Sequence, residues 1–224
     1  PLYYATHGDA LVFASEIKAM LPVLGRLRLS PEGMAQVFTF WSAVAPRTVF
    51  EGIWQLRPGQ CMVFEEGRRR PFLYWDVSFP PRGAHDIQEE AQAMKGLHEI
   101  LDEAASLRLR SDVPVGAYLS GGLDSSVISV LVKTYVPGME TFSVSFADPA
   151  FDESLFQEAM GRSLGTHHHV RRVSYNDICG VFEQVVWHAE TPVLRTAPAP
   201  MFLLSRLTRE NGIKVVLTGE GADE

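Results

Sequence analysis

Residues 115–128, with the sequence VGAYLSGGLDSSVI, decide the fold of this chain. An apolar run ends abruptly in a Ser-Gly-Gly turn, and a second apolar run begins at Val127 with the spacing of a helix and ends before Pro137. This pattern predicts a strand, a tight turn and a helix. The two adjacent glycines permit positive φ and let a bulky ligand approach the main chain.

The predicted turn suits a polyanion. The first amides of a helix have no intrahelical acceptor, and the helix dipole is positive at that end. Hydroxyl groups of Ser120, Ser125 and Ser126 surround the turn, and Asp124 adds a carboxylate of the kind that magnesium-bound phosphate requires. We therefore predict a magnesium–phosphate cradle, although the Walker and dinucleotide glycine patterns are both missing. The alternative is an ordinary turn whose glycines serve packing.

Strand and helix patterns alternate from residue 87 onwards. Strands are predicted near residues 115–119, 141–146, 169–173 and 213–217, and helices near residues 87–104, 127–136, 153–164, 176–188 and 201–210. Such alternation predicts an α/β fold with a parallel sheet and right-handed crossovers. Ligands of these sheets bind at the carboxyl ends of the strands, where the strand order reverses.

If the first and last strands flank this reversal, the Ser-Gly-Gly turn faces residues 218–224, TGEGADE. Three carboxylates in that segment would repel bare phosphates, so they indicate a cation between the two turns. Asp124 and Asp223 are the predicted magnesium ligands, because carboxylate oxygens at neighbouring strand ends can hold an octahedral ion. The alternatives are a helix cap for Asp124 and an exposed turn acid for Asp223.

The first part of the chain is predicted to be rich in β-strands, near residues 2–5, 11–14, 60–64 and 71–75. Short helices are expected at residues 14–21 and from Ser30 onwards, where proline takes the first helical position. Residues 78–86, with two prolines and a glycine, have the composition of a linker.

Composition excludes several classes of protein. The chain has 224 residues, 46% of them hydrophobic and 21% charged, which is typical of one large or two modest globular domains. Its net charge of -7 argues against a nucleic-acid partner. No apolar run approaches the roughly 18 residues of a membrane span.

The two cysteines, Cys61 and Cys179, are too few for a disulfide scaffold, which favours a reducing cytoplasm. We expect both to be small buried apolar residues. The chain begins at Pro1 without a methionine and stops directly after a predicted strand, so we expect a fragment cut at both ends.

Two signatures resemble a known family. Residues 120–125, SGGLDS, resemble the pyrophosphate loop of the ATP pyrophosphatases, which cleave ATP to AMP and pyrophosphate. Residues 216–224, VLTGEGADE, are similar to the second signature of the glutamine-hydrolysing asparagine synthetases. Residues 14–19, ASEIKA, and residues 56–59, LRPG, resemble the end of the glutaminase domain of that family. The family's glutaminase nucleophile is an amino-terminal cysteine, which Cys61 does not match.

The resemblance implies two domains. Residues 1–80 would be the carboxyl-terminal part of an Ntn-type glutaminase domain, and residues 81–224 the amino-terminal part of an asparagine synthetase domain of the ATP pyrophosphatase type. The implied ATP- and pyrophosphate-binding residues are Tyr118, Leu119, Ser120, Gly121, Gly122, Asp124, Ser125, Ser126, Val144, Thr218 and Gly219.

The resemblance also implies catalytic roles. Asp124 and Asp223 would hold Mg²⁺, and Glu220 would help to bind the amino-acid substrate and handle the attacking ammonia. Arg195 is the nearest candidate for the substrate α-carboxylate, with a solvated loop arginine as the alternative. Three consecutive histidines, residues 167–169, also stand in a stretch that resembles the family. Neighbours on a strand point to opposite faces, so these three cannot converge on one ion.

The implied activity is that of a cytoplasmic ligase that amidates aspartate to asparagine. ATP would activate aspartate as a β-aspartyl adenylate, releasing pyrophosphate, and ammonia from glutamine would then displace AMP. The partners would be small molecules, with neither nucleic acid nor membrane, and a homodimer is compatible with the resemblance. Two alternatives stay open: an adenylating homologue that acts on another carboxylate, such as a β-lactam synthetase or peptide-cyclising enzyme, and a non-catalytic scaffold.

Overall fold

A computed structural model describes residues 1–84 and 89–221 of the chain. Contacts divide the chain into two units: residues 1–81 with 183–195, and residues 82–182 with 196–224. Two sequence predictions, the helix start at residue 87 and the metal ligand Asp223, lie outside the described residues.

The first unit is rich in β-strands, as predicted. Its elements are β1 (Tyr3–His7), β2 (Ala10–Ala14), a 3-10 turn (Ile17–Met20), α1 (Leu21–Leu24), α2 (Pro31–Phe40), β3 (Trp54–Gln55), β4 (Gln60–Glu65) and β5 (Arg68–Leu73). Strands β2, β1 and β3 form an antiparallel sheet, and β4 and β5 form a hairpin. The two-residue strand β3 was not predicted, because it is too short to show a period-two pattern.

Helix α2 begins where proline and serine predicted it. The Ser30 hydroxyl accepts a hydrogen bond from the Gly33 amide at 3.1 Å, which satisfies one of the free amides of the first turn. The helix predicted at residues 14–21 is only a 3-10 turn followed by one α-helical turn. Cys61 and Cys179 are exposed, so the expectation that they are buried is wrong.

Glu190 ties residues 183–195 to the rest of the first unit. Its side chain is only 8% exposed, and its two carboxylate oxygens accept hydrogen bonds from the backbone amides of Ile17 at 2.7 Å and Lys18 at 2.6 Å. These amides open the 3-10 turn and have no partner within it. The turn rests on the core of this unit, which contains Ala5, Ile17, Met20 and Ile53.

The second unit is an α/β layer structure. Its elements are α3 (Glu90–Arg108), β6 (Val115–Tyr118), α4 (Leu123–Tyr135), β7 (Glu140–Phe146), α5 (Ser154–Leu164), β8 (His167–Val173), α6 (Tyr175–Ala189), α7 (Pro198–Glu210) and β9 (Val215–Leu217). Helix α6 begins in this unit and ends in the first.

The four strands of this unit form one parallel sheet with the order β8-β7-β6-β9. The chain moves outwards from β6 through β7 to β8 and then returns to the other side of β6 with β9. The strand order therefore reverses between β6 and β9, which confirms the predicted parallel sheet and the pair of strands that flanks its reversal.

Helices cover both faces of this sheet. Ala117 on β6 is fully buried and packs with Ala105 of α3 and Val132 of α4. Phe142 on β7 is also fully buried and packs with Leu204 of α7. Phe142 pairs with Tyr118, the residue after Ala117, and successive strand residues point to opposite faces of a sheet. Helices α3 and α4 therefore lie on one side of the sheet, and α7 lies on the other. The apolar sequences of β6 and β9 are typical of strands in a sheet that is covered on both faces, whereas β8 at the edge of the sheet is mostly polar.

Helix α7 begins earlier than its apolar pattern predicts. The prediction starts at residue 201, whereas the helix starts at Pro198. Prolines are tolerated in the first helical turn because the amides there have no intrahelical acceptor. Residues 198–200, which precede the predicted start, are therefore the first turn of the helix.

Candidate functional site

A cavity of about 490 Å³ opens at the carboxyl ends of β6, β7 and β9. Its walls come from the turn after β6, the end of β7, the start of α5, the start of α7 and the turn after β9. This is the position at which open parallel sheets bind ligands. The cavity lies entirely within the second unit.

The turn after β6 is held by its own serines. Gly121 has a φ of +87°, which only glycine adopts without strain. The Ser120 and Ser125 hydroxyls are 2.8 Å apart, and the Ser120 amide donates to the Ser125 hydroxyl at 3.1 Å. The Ser126 hydroxyl donates to the Gly122 carbonyl at 2.7 Å. All three predicted phosphate-binding hydroxyls, those of Ser120, Ser125 and Ser126, therefore also fix the shape of the turn.

Helix α4 starts at Leu123, directly after the glycines, rather than at Val127. Gly122 occupies the N-cap position and has no side chain with which to accept from the first amides. Asp124 lies in the first helical turn, where the helix dipole favours negative charge. The start of this helix thus combines free amides with an acidic side chain at the cavity wall.

The turns after β6 and β9 meet. A Cβ atom added to Gly219 would lie 2.5 Å from the Ser125 backbone nitrogen and 2.6 Å from the Asp124 carbonyl carbon. Real Cβ atoms do not approach backbone atoms this closely, so only glycine fits at position 219. The two glycine-containing signatures, distant in the chain, lie in contact at one edge of the sheet.

Most of the predicted site residues line this cavity. They are Tyr118, Leu119, Ser120, Gly122, Asp124, Ser125, Val144, Thr218, Gly219 and Glu220. Gly121 lies within the turn and Ser126 within α4, and neither contributes to the wall. Arg195 belongs to the first unit, where its guanidinium stacks 4.3 Å above the Trp41 ring. Asp223 is outside the described residues.

Sequence reasoning missed the part of the wall that comes from α5 and α7. Glu153 and Gln157 line the cavity at the start of α5, and Ala197, Pro200 and Met201 line it at the start of α7. The α7 residues could have been found by treating the prolines as a first helical turn. The position of Gln157 in the cavity wall could not be predicted, because a glutamine in an amphipathic helix is normally exposed.

The charge of the cavity wall is negative. Asp124, Glu153 and Glu220 line it, and no lysine or arginine does so among the described residues. Within the same part of the chain, no three His, Cys, Asp or Glu side chains are grouped as a metal site. Mg²⁺ typically uses one or two protein carboxylates and takes its other ligands from water and substrate phosphates. The acids therefore fit a magnesium ion that arrives with a phosphate ligand better than a metal site built from protein alone.

The three histidines of β8 alternate as predicted. His167 and His169 lie on one face, where Glu140 contacts His167 Nδ1 at 2.9 Å and His169 Nε2 at 2.6 Å. His168 lies on the other face, with its Nδ1 3.0 Å from the Thr141 hydroxyl. Burial by itself would raise the pKa of Glu140, but its hydrogen bonds with His167 and His169 outweigh burial, so the pKa is lowered.

This lowered pKa predicts a pH-dependent contribution to stability. A carboxylate whose pKa is lower in the folded state stabilises the fold above its unfolded pKa of about 4.3, and this contribution is lost as the pH falls through the folded value. Glu140→Gln should therefore flatten the acid limb of unfolding free energy against pH, measured by denaturant titration. Glu158→Gln, at an exposed surface pair, serves as the control. Parallel acid limbs for Glu140→Gln and the original protein would contradict the prediction.

No described helix combines the length and the hydropathy that a membrane crossing requires.

Comparison with known proteins gives two family matches. The asparagine synthase model matches residues 96–224, and the glutamine amidotransferase domain model matches residues 1–75. Among curated relatives, amidase chyE of Penicillium rubens is 33% identical, amidase chry2 of Gibberella zeae 31%, and glutamine-hydrolyzing asparagine synthetase 1 of Bacillus subtilis 30%. Each comparison covers the whole of this chain but only 35% of the relative's length. Because the asparagine synthase model matches more than half of the sequence, this chain belongs to the asparagine synthase family.

Proposed function

We propose that the protein containing this chain is a glutamine-dependent carbon–nitrogen ligase that uses Mg-ATP to activate a carboxylate, and that this carboxylate is aspartate. The observation that carries the proposal is the cavity at the reversal of the parallel sheet, where Gly219 in the turn after β9 touches the start of α4, directly after the glycine turn that follows β6. Such a turn accommodates phosphates through free amides, and the surrounding acids explain why a cation accompanies them.

Residues of this chain can be assigned roles in this reaction. The free amides at the start of α4 and the hydroxyl of Ser120 would hold the β- and γ-phosphates. Leu119 and Val144, at the ends of neighbouring strands, would form the wall for adenine and ribose, together with Tyr118. Gly219 and Thr218 would border the nucleotide from the other side of the reversal.

Asp124 would hold Mg²⁺, and we assign the same role to Asp223. When bound, this ion offsets the charge of the phosphates and of the leaving pyrophosphate. A carboxylate oxygen of the substrate attacks the α-phosphorus, and the bond from that phosphorus to the bridging oxygen breaks, so pyrophosphate leaves with the electron pair. Catalysis of this step rests on alignment and charge stabilisation.

Glu220 would act in the second half of the reaction. It lines the cavity directly after Gly219, and its carboxylate can accept a proton from ammonia as the nitrogen attacks the activated carbonyl carbon. The carbon–oxygen bond to AMP then breaks, leaving an amide. Ammonia would come from glutamine hydrolysed elsewhere in the whole protein, and we assign no glutaminase nucleophile to this chain.

We also propose the division of the chain into a glutaminase portion, residues 1–80, and a synthetase portion, residues 81–224. A cytoplasmic location fits the two free cysteines. A homodimer of the whole protein stays a prediction.

A second carboxylate substrate is the main competing proposal. The two fungal amidases are as similar to this chain as the Bacillus subtilis synthetase is. Arg195, the candidate partner for the α-carboxylate of aspartate, stacks on Trp41 in the first unit. These observations favour testing larger carboxylic acids beside aspartate, because the same adenylation chemistry would serve either substrate.

The test is a pyrophosphate-release assay of the full-length protein with Mg-ATP, glutamine or ammonia, and a panel of carboxylic acids. Release that depends on aspartate, together with asparagine as product, would support the first proposal. Release that depends only on a larger acid would support the second proposal, in which the substrate is another carboxylate. If calorimetry detects no binding of Mg-ATP to the full-length protein, a non-catalytic scaffold becomes the better account.

A further inference from the structure

Gln157 is a deeply buried polar residue of the cavity wall that the sequence did not indicate. It lies in the second turn of α5, is only 3% exposed and lines the cavity. Its neighbours in the chain have the opposite character, since Leu155 is 78% exposed and Phe156 is 68% exposed. Helix α5 thus turns a glutamine inwards where its sequence pattern would place a hydrophobic side chain.

The carboxamide of Gln157 joins two different strand ends. Its Nε2 donates to the Ser120 carbonyl at 3.3 Å and to the Val144 carbonyl at 3.0 Å. Both acceptors are carbonyl oxygens, so the orientation of the amide is fixed: the flipped form would set Oε1 against them. The two donors of Nε2 are therefore both used.

The other end of the same amide makes no hydrogen bond. Oε1 of Gln157 is buried and has no partner within the described part of the chain. An unpaired buried acceptor costs free energy. A hydrophobic residue would avoid this cost in the fold, so the position indicates a function for the two donors.

The backbone ladder ends at the point that Gln157 spans. Strands β6 and β7 are paired up to Tyr118 and Phe142, and the Leu119 amide donates to the Phe142 carbonyl at 2.9 Å. Beyond Leu119 the chain turns away into the glycine turn, while β7 continues. The Gln157 side chain continues the connection between the two strand ends where backbone pairing stops.

Helix α5 also packs directly on the glycine turn. A Cβ added to Gly121 would lie 3.1 Å from Phe156 Cβ and 3.5 Å from Gln157 Cγ. The turn is therefore held from two sides: by its own serines on the side of α4, and by Gln157 on the side of α5.

We propose that Gln157 is a positioning residue that sets the distance between the phosphate-binding turn after β6 and the nucleoside-binding end of β7. The inference rests on the proposed binding of Mg-ATP in this cavity. ATP must contact both edges at once, whereas pyrophosphate needs only the turn. Loss of the Gln157 bridge therefore weakens the binding of ATP more than the binding of pyrophosphate.

Calorimetry on the full-length protein tests this with Gln157→Met, which keeps the length of the side chain and removes both donors. We expect the Kd of Mg-ATP to rise about 10- to 100-fold, the range for residues that orient a binding group, and the Kd of Mg-pyrophosphate to rise less. Glu158→Gln, the exposed neighbour on α5, should leave both constants unchanged. An unchanged Kd for Mg-ATP would overturn the proposal, and so would equal losses for the two ligands, which indicate a structural role only.

Gln157→Glu supplies a test within a single variant. A carboxylate facing two carbonyl oxygens donates nothing, whereas the protonated acid restores one of the two hydrogen bonds. The affinity of Gln157→Glu for Mg-ATP should therefore increase relative to the original protein as the pH falls from about 8 to about 6, because burial raises the pKa of a carboxyl group. A constant ratio across this range would count against the bridge.

The controls separate this inference from the proposed function. If the original full-length protein binds no Mg-ATP, the proposed function fails, and the inference fails with it. If the original protein and both Gln157 variants bind Mg-ATP equally, the proposed function stands and only the role of Gln157 is overturned.

Discussion

Replacement of Asp124 by asparagine is expected to lower ATP-dependent pyrophosphate release by the full-length protein at least about 100-fold, the scale on which a single stabiliser of transition-state charge acts. Asparagine keeps the size and polarity of the side chain but removes the charge that would hold Mg²⁺ beside the phosphates. Asp124 is exposed in the first turn of α4, so the fold should lose only the dipole interaction, about 0.3–1 kcal/mol.

A matched control is available on the same sheet. Asp112→Asn removes an exposed carboxylate before the amino end of β6, at the opposite end of the strand from the cavity, and should leave pyrophosphate release unchanged. Undiminished release by Asp124→Asn at saturating magnesium would exclude Asp124 from the reaction.

Gly219→Ala should abolish measurable Mg-ATP binding. The added methyl group would lie 2.5 Å from the Ser125 nitrogen and 2.6 Å from the Asp124 carbonyl carbon, and both atoms belong to the backbone. No side-chain rotation relieves this overlap, so the turn after β9 must move away from the start of α4. The expected cost in unfolding free energy is that of overpacking, about 1–3 kcal/mol. The larger effect is on the cavity, because the two turns that border it separate.

Gly96→Ala is the corresponding control. Gly96 lies inside α3, and nothing lies within 4 Å of an added Cβ. Alanine there should preserve nucleotide binding and stabilise the helix by about 0.5–1 kcal/mol. Mg-ATP binding by Gly219→Ala with the original affinity would show that contact between the two turns is not needed for the site.

Much of the second unit was predictable because its signals are local. Strands β6 and β9 are short apolar runs, and Gly121 and Gly165 mark points where the chain must adopt positive φ. Right-handed crossovers restrict the order of parallel strands, but the neighbouring positions of β6 and β9 were an assumption of the sequence analysis, which the strand order of the sheet confirms. The parallel sheet expected for an ATP pyrophosphatase domain and the contact of its two glycine turns are both present.

Features that depend on tertiary contacts were not predictable. Gln157 is buried while Leu155 and Phe156 are exposed, which reverses the polarity that an isolated amphipathic helix would show. The Glu190 carboxylate accepts hydrogen bonds from the amides of Ile17 and Lys18, which lie near the other end of the sequence. In each case the partners are backbone groups. Nearly every residue carries such groups, so the sequence does not indicate which of them will be partners.

The position of β6 between β7 and β9 has a consequence for biosynthesis. Strand β7 follows β6 closely in the chain. The other neighbour of β6 is β9, whose Val215 pairs with Val115 and is synthesised much later. On the ribosome, one edge of β6 can be occupied early, while its other edge stays open until β9 has emerged. The cavity proposed for the nucleotide would therefore form only when β9 pairs with β6, and until then the open edge of β6 could pair with other strands.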